Sequence, residues 1–178
     1  MTDQNYAKEE AAAQYSSIVG MLAALDCDYA RLEELKDERE ELAEAVKDAL
    51  SEGADGRAFD DLAQWDNENA EELAQLVEDA GDCTSREEAE ERIQEDPLET
   101  QVRSDWHSPG ETDIKPSEFY ILLCTGGPAV RIMGELDQYG QPDRAWLEYQ
   151  DWGTPWTQYF NASQDTLLQY CQQFYFGE

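Results

Sequence analysis

The chain has 178 residues, enough for one domain of ordinary size or for a small domain with an extended arm. It carries 42 Asp and Glu residues against 12 Lys and Arg residues, a net charge of −30. This charge excludes a protein that holds duplex DNA or RNA through a basic surface, because such binding places Lys and Arg on phosphates. It also argues against docking on anionic membranes. With no apolar run long enough to span a bilayer and no signal-peptide pattern, we expect a cytoplasmic protein.

Charge and aromatic residues divide the chain into two parts. Residues 1–100 hold 31 acidic and 8 basic side chains, a balance of −23, whereas residues 101–178 hold 11 and 4, a balance of −7. All five Trp except Trp65 and all five Phe except Phe59 lie after residue 100. An aromatic fraction of 11% is typical of chains that bury a core rather than of acidic tails. We therefore expect an acidic helical region over 1–97 and an antiparallel sheet with a C-terminal helix over 98–178.

Apolar periodicity predicts four helices in the first part. The first covers about 5–25, and the second covers about 29–50 and ends at Gly53 and Gly56. Heptad a and d positions of the second helix are occupied by Leu32, Leu35, Leu42, Val46 and Ala49, with Arg39 as the one polar a residue. This short repeat indicates a helical hairpin rather than a long coiled coil. A third helix is predicted over 69–80, stopped by Gly81, and a fourth begins at a capping box on Thr84 or Ser85 and ends before Pro97.

The second part changes to the alternation typical of strands. Predicted strands cover 98–106, 118–124, 130–136 and 144–150, separated by loops or turns that contain Gly or Pro. A last helix is predicted to begin at Ser163 and to turn five apolar side chains inward: Leu167, Leu168, Cys171, Phe174 and Tyr175. The predicted fold class is α+β: an acidic helical hairpin or bundle, then an antiparallel sheet of three or four strands covered by a C-terminal helix.

Histidine and cysteine, the residue types of most zinc sites and of many nucleophilic sites, are sparse. No two of the four cysteines, Cys27, Cys83, Cys124 and Cys171, lie close enough in sequence to form a C-x-x-C pair. His107 is the only histidine, and it lies in a polar loop without a recognisable nucleophile motif beside it. We therefore expect no catalytic residue, no metal site and no cofactor, although an enzyme acting on a small molecule stays open as a third class.

The second predicted helix carries an unusual density of carboxylates. Six of them lie away from the a/d seam at helical spacings of 3, 4 and 7: Glu33, Asp37, Glu40, Glu41, Glu44 and Asp48. Carboxylates one helical turn apart are spaced by about 5–6 Å, similar to phosphates along a DNA strand. Ordinary solvation of a helix face is the simpler interpretation, but so large a charge costs self-repulsion. We therefore hypothesise that this face binds a cationic channel of a partner protein.

An aromatic-rich segment over 149–160 offers an alternative binding surface. Trp152, Trp156 and Tyr159 lie in it near Gly153 and Pro155, so they could form a platform for a protein partner. The other interpretation is that this segment folds back and supplies core to a small sheet.

Several short segments resemble a family of small acidic proteins carried by bacterial plasmids, phages and integrated elements. They are 121–128 (ILLCTGGP), 134–136 (GEL), 147–155 (LEYQDWGTP) and 174–178 (FYFGE), and the likeness spans about 84–178. The resemblance implies a setting on mobile genetic elements and no particular mechanism. The acidic half is similar, in charge only, to DNA-mimic proteins that inhibit bacterial defence.

These observations predict a non-enzymatic inhibitor of a bacterial defence complex, either an anti-CRISPR or an anti-restriction protein. Its carboxylates would compete with DNA for Lys and Arg in a basic channel, so its partner would be a basic nucleic-acid-binding protein or complex and not nucleic acid itself. The sheet half would anchor the protein or form a homodimer. The alternative is an adaptor that binds a protein partner through the aromatic loop, with the acidity serving solubility.

Overall fold

A computed structural model describes residues 6–53, 56–112 and 114–177. The helices are α1 (Tyr6–Asp26), α2 (Tyr29–Glu52), α3 (Arg57–Ala80), α4 (Arg86–Glu95) and α5 (Gln164–Cys171). The strands are β1 (Glu99–Arg103), β2 (Glu118–Cys124), β3 (Ala129–Leu136), β4 (Pro142–Gln150) and β5 (Thr157–Gln158). This order of helices, antiparallel sheet and C-terminal helix confirms the predicted α+β class. None of the described helices is long and apolar enough to cross a membrane.

The chain forms two compact units whose limits differ from the predicted 1–97 and 98–178. One unit consists of the described residues up to Leu22 together with those from Ala89 onward, and the other is Ala23–Glu88. The divisions therefore fall within α1 and within α4. Most of α1 belongs with the sheet because Ala11 and Ile18 on one stripe are completely buried in the first unit, and the hydroxyl of Tyr15 accepts a hydrogen bond from the amide of Ser163 (3.0 Å).

The helices of the second unit end where glycine was predicted to stop them, but α3 is twice the expected length. Gly53 follows α2 in the left-handed conformation, with φ of 66°, and its amide donates to the carbonyl of Ala49. Gly81 follows α3 with φ of 56°. The predicted start at residue 69 is wrong: α3 begins at Arg57, since Phe59 and Leu62 continue its apolar stripe at helical spacing.

Capping hydrogen bonds begin α4, and the structure selects one of the two predicted caps, although the Glu88 carboxylate bonds to Thr84 and not to the amide of Ser85 as in a full capping box. The amide of Glu88 donates to Oγ of Ser85 (3.2 Å), while Oε2 of Glu88 accepts from the amide of Thr84 (2.7 Å) and from its hydroxyl (2.9 Å). These hydrogen bonds from Thr84 hold the pKa of the Glu88 carboxyl below its ordinary value. Ser85 is therefore the cap, and the helix ends before Pro97 as predicted.

The sheet is an antiparallel meander in the order β1-β2-β3-β4-β5. It has one strand more than the three or four predicted, because Thr157 and Gln158 pair with Tyr149 and Glu148 as a short fifth strand. Buried and half-exposed side chains alternate along β2 and β3. One face of the sheet is therefore core, with Ile132 opposite Leu147 at its centre, and the other faces outward.

The C-terminal helix packs on β4 but ends earlier than its apolar pattern indicated. Leu167 and Cys171 are buried as predicted, whereas Tyr175 is 81% exposed, so its predicted inward position is wrong. The helix ends at Cys171, and the chain beyond it no longer follows a helical period. Phe176 takes the inward position instead and stacks against Phe119 with ring centroids 4.4 Å apart. Ser163 occupies the N-cap position without a side-chain capping bond.

Candidate partner-binding surfaces

The helices α2 and α3 form an antiparallel hairpin held by polar cross-links. Arg31 donates to both carboxylate oxygens of Glu72 (3.0 Å each), and Arg39 donates to Asp66 (2.9 Å). The indole of Trp65 donates to Glu38 at 2.9 Å. Arg31, near the start of α2, pairs with Glu72 in the second half of α3, whereas the later Arg39 pairs with the earlier Asp66, as antiparallel helices require. Each helix has 24 residues and is therefore about 36 Å long.

The six carboxylates predicted on α2 do share one face. Rotation of about 100° per residue places all of them within an arc of about 100°. Each of the six residues is exposed, and none of their carboxylates has a hydrogen bond or ion pair with any other residue in the described ranges. We call this set the acidic face of α2: Glu33, Asp37, Glu40, Glu41, Glu44 and Asp48. It lies opposite the side of α2 that carries Leu35 and Leu42, which face α3.

The hairpin has a second carboxylate row that our sequence analysis missed. Five exposed acidic residues of α3 fall within an arc of about 100° on its side away from α2. We call them the acidic face of α3: Asp60, Asp61, Glu68, Glu71 and Glu78. The sequence contains these carboxylates at helical spacings of 3, 7 and 10. The predicted helix began at residue 69 and so left out the first three of them.

Two of the hairpin's three arginines, Arg31 and Arg39, pair with carboxylates across the helix–helix seam. Arg31 bridges Glu34 (2.8 Å) and Glu72 (3.0 Å), which raises the pKa of the guanidinium and lowers that of the Glu72 carboxyl. Arg39 and Asp66 pair across the same seam. The outward carboxylates of the two acidic faces therefore have no ion pair within the described residues.

The aromatic segment over 149–160 is divided among different surroundings. Trp152 is 78% exposed, with its indole resting directly against the backbone of Gly127 in the β2–β3 turn. Trp156 is half-buried over an arginine described below. Tyr159 is buried, with its ring 6.5 Å from that of Tyr15. The segment thus supplies core through Tyr159, and Trp152 is the member of the three that a partner can reach freely.

The outward face of the sheet centres on an arginine held between aromatic rings. The guanidinium of Arg131 lies 3.9 Å from the ring centroid of Trp156 and 5.8 Å from that of Tyr120. It pairs with Glu148 at 2.7 Å, and the indole of Trp146 donates to the same carboxylate at 3.0 Å. Every charged group in this cluster has a partner. The cluster stabilises β3 against β4 and offers no free charge to a ligand.

The structure also shows the surroundings of the histidine and of the four cysteines. His107 is exposed, with Nδ1 3.2 Å from the carbonyl oxygen of Asp105. The four cysteines are free thiols, and burial raises the pKa of Cys27, Cys124 and Cys171, which disfavours the reactive thiolate. Across the ranges that the structure describes, no group of three His, Cys, Asp or Glu side chains is arranged to hold a metal ion.

Comparisons of the chain with protein-family models, with curated proteins and with solved structures found no match. Two surfaces of the described chain are distinctive: the paired acidic faces of the hairpin, and the exposed Trp152 beside the β2–β3 turn.

Proposed function

We propose that the protein is a cytoplasmic, non-enzymatic inhibitor of a bacterial defence complex that targets nucleic acid, such as a CRISPR effector or a restriction enzyme. It acts by DNA mimicry at a basic channel. The observation that carries the proposal is the acidic face of α2, six exposed carboxylates on one side of a helix with no partner among the described residues. The resemblance to proteins of mobile genetic elements is consistent with this role.

The spacing of these carboxylates suits a cationic groove that accepts DNA. From Glu33 to Asp48 the helix rises about 22 Å, so six carboxylates give about one negative charge per 4 Å. One strand of duplex DNA carries one phosphate per about 3.4 Å of axis. Lys36 and Lys47 lie beside this row and lower its net density to about one negative charge per 6 Å. The acidic face of α3 supplies a second row.

The hairpin also holds its charges in fixed positions before binding. Its seam cross-links, Arg31 with Glu72 and Arg39 with Asp66, tie the two helices together. A helical scaffold loses little backbone freedom on association, which lowers the cost of binding. Lys and Arg of the partner would then contact carboxylates that are already arranged in a row, as they contact phosphates in DNA.

The test compares two variants with the same change in net charge. In the face variant, Glu40, Glu41, Glu44 and Asp48 are changed to Lys. In the control variant, four exposed acidic residues elsewhere are changed to Lys: Glu9, Glu91, Glu95 and Asp165. Plaque counts of a targeted phage are measured on a panel of strains that each carry one CRISPR effector or restriction enzyme, and circular dichroism verifies the fold of both variants.

The wild-type protein should restore plaques on at least one strain, the control variant should retain most of that effect, and the face variant should lose it. Binding of the inhibited complex should weaken steeply with added salt, because exposed charge pairs are screened over about 8–10 Å. Equal loss in both variants, or affinity that salt does not change, would contradict the mimicry mechanism.

The alternative function is an adaptor that binds a protein through the aromatic loop. The observation in its favour is the exposure of Trp152, a residue type that is common at the centre of protein interfaces. Changing Trp152 to Ala removes this contact without touching the half-buried Trp156. If this variant loses activity while the face variant keeps it, the adaptor function replaces the inhibitor.

A further inference from the structure

The strand β1 forms one edge of the sheet, and all five of its residues are exposed. It pairs with β2 on one side, and no strand in the described part of the chain pairs with the other side. Proteins usually protect such edges by keeping the strand short or by placing charges, prolines or bulges on it. β1 has five residues with Glu99 and Arg103 at its ends, but its centre, Thr100-Gln101-Val102, has no charge, proline or bulge. Its outer backbone groups are therefore available to another strand.

The edge also exposes apolar surface on the side of the sheet that is core elsewhere. Val102 lies next to the buried Phe119 in the register but is itself 46% exposed, and Leu98, just before the strand, is 61% exposed. Trp106, a few residues after the strand, is fully exposed. An added strand would cover part of this surface, which favours association by about 25 cal/mol for each Å² removed from water.

We propose that the occupant of this edge is β1 of a second copy of the chain, paired antiparallel about a two-fold axis at Gln101. In that register Glu99 lies opposite Arg103 of the second copy, and the second contact repeats the first by symmetry. Thr100 lies opposite Val102 of the second copy on the apolar side. The strand is thus complementary to itself in charge.

The interactions of Glu99 and Arg103 within one chain leave both side chains able to pair with a second copy. Arg103 pairs with Glu118 on β2, but its side chain remains 71% exposed, so the guanidinium can also reach a carboxylate on its other side. Glu99 accepts a hydrogen bond from the side chain of Gln101 at 2.6 Å and has no basic partner among the described residues. A second copy would supply Glu99 with a cation and would place Arg103 between two carboxylates.

The homodimer should respond to salt in the opposite direction to partner binding. Two chains with a net charge of −30 each repel one another, and salt screens this repulsion while backbone hydrogen bonds and apolar contacts persist. Dimerisation should therefore tighten as salt rises, whereas binding to a cationic channel should weaken. This difference separates the homodimer from the proposed inhibitory function, on which it does not depend.

The experiment measures sedimentation velocity of the full chain over a concentration series at low and high salt. The wild-type chain should show a monomer–dimer equilibrium. Glu99→Arg and Arg103→Glu should each be monomeric at the concentrations where the wild type dimerises, because each places like charges opposite each other at both ends of the strand pair. An equimolar mixture of the two variants should form a heterodimer, since every facing pair is then of opposite charge.

Circular dichroism of each variant alone establishes that its fold is intact, and recovery in the mixture is an effect that misfolding cannot produce. A wild-type chain that stays monomeric at all concentrations and both salt levels would overturn the proposal. So would variants that dimerise as well as the wild type, or a mixture that remains monomeric. The α2 face variant, with Glu40, Glu41, Glu44 and Asp48 changed to Lys, should still dimerise.

Discussion

The ring of Phe119 on β2 lies directly over Gly134 on β3. A Cβ atom at residue 134 would lie 2.1 Å from Cζ of Phe119 and 2.5 Å from the carbonyl oxygen of Arg144. Phe119 is completely buried against Phe176, so its ring has no space into which to move. This contact explains why a strand otherwise rich in branched residues carries a glycine at this point.

Changing Gly134 to Ala should destabilise the protein by about 2 kcal/mol, because a tightly packed core accommodates an extra methyl group only with displaced side chains or backbone. The free energy of unfolding in urea measures the effect. Gly20→Ala is the control: this glycine lies in α1 with open space at its Cβ position. That change should stabilise the protein by about 0.5–1 kcal/mol. Equal effects of the two substitutions would contradict the packing argument.

A part-buried hydrogen bond joins Tyr170 of α5 to Asp96. The hydroxyl of Tyr170 lies 2.6 Å from the carboxylate, and its ring is completely buried. Tyr170→Phe should lower the free energy of unfolding by about 1–2 kcal/mol, since it removes a hydrogen bond to a charged acceptor. Tyr175→Phe should change stability little, because that ring is exposed. Similar losses in both variants would argue against the hydrogen bond.

The same tyrosine should make stability fall at alkaline pH. Burial, and then the Asp96 carboxylate, raise the pKa of Tyr170 above its ordinary value, so the folded state favours the neutral phenol. Its contribution is complete below the unfolded pKa of about 10 and is lost as pH rises above it, because the unfolded chain can then release the proton. Urea denaturation between pH 8 and 11 should show a smaller decline for Tyr170→Phe than for the wild type.

Two arginine–glutamate pairs on the outward face of the sheet should differ in how much they contribute to the free energy of unfolding. Arg131→Ala should cost about 2 kcal/mol, because it leaves Glu148 half-buried without its cation and removes the contact with Trp156. Arg144→Ala should cost at most about 0.5 kcal/mol, because Arg144 and Glu135 are well exposed to water. Thermal or urea unfolding of both variants measures the difference, and equal costs would show that burial is unimportant here.

Self-repulsion should make the whole chain more stable in salt. Raising NaCl from about 0.01 M to about 0.5 M shortens the Debye length from about 30 Å to below 10 Å, so like charges along the hairpin repel less. The thermal unfolding midpoint should rise over this range. The α2 face variant, in which four acidic residues are changed to Lys, should show a smaller rise. A midpoint that does not change with salt would mean that the charge imposes little strain.

Much of the fold could be predicted because helix and strand periods depend on neighbouring residues. The 3.6-residue period places six carboxylates of α2 on one face whatever that helix packs against, and the two-residue period predicts β2 to β4. Glycine after α2 and α3 ends those helices for a local backbone reason. The capping hydrogen bond between Ser85 and Glu88 is equally local.

Contacts between distant residues could not be predicted in this way. The start of α3 at Arg57, the burial of Phe176 in place of Tyr175 and the assignment of most of α1 to the sheet unit each depend on which surfaces pack together. Arg39 was visible in the sequence only as a polar residue in an apolar repeat. The structure explains this polar residue: Arg39 forms an ion pair across the hairpin with Asp66, which lies 27 residues further along the chain.

The sequence by itself determined how much negative charge the protein carries and on which helix face it is concentrated, because composition and helical period need no tertiary contact. Only the tertiary structure decided which charges are neutralised. Arg31 and Arg39 reach Glu72 and Asp66 because α2 and α3 fold back on each other, and this leaves the outward carboxylates without internal partners. Ion pairing depends on distances of a few Å, and packing sets those distances for residues far apart in the chain.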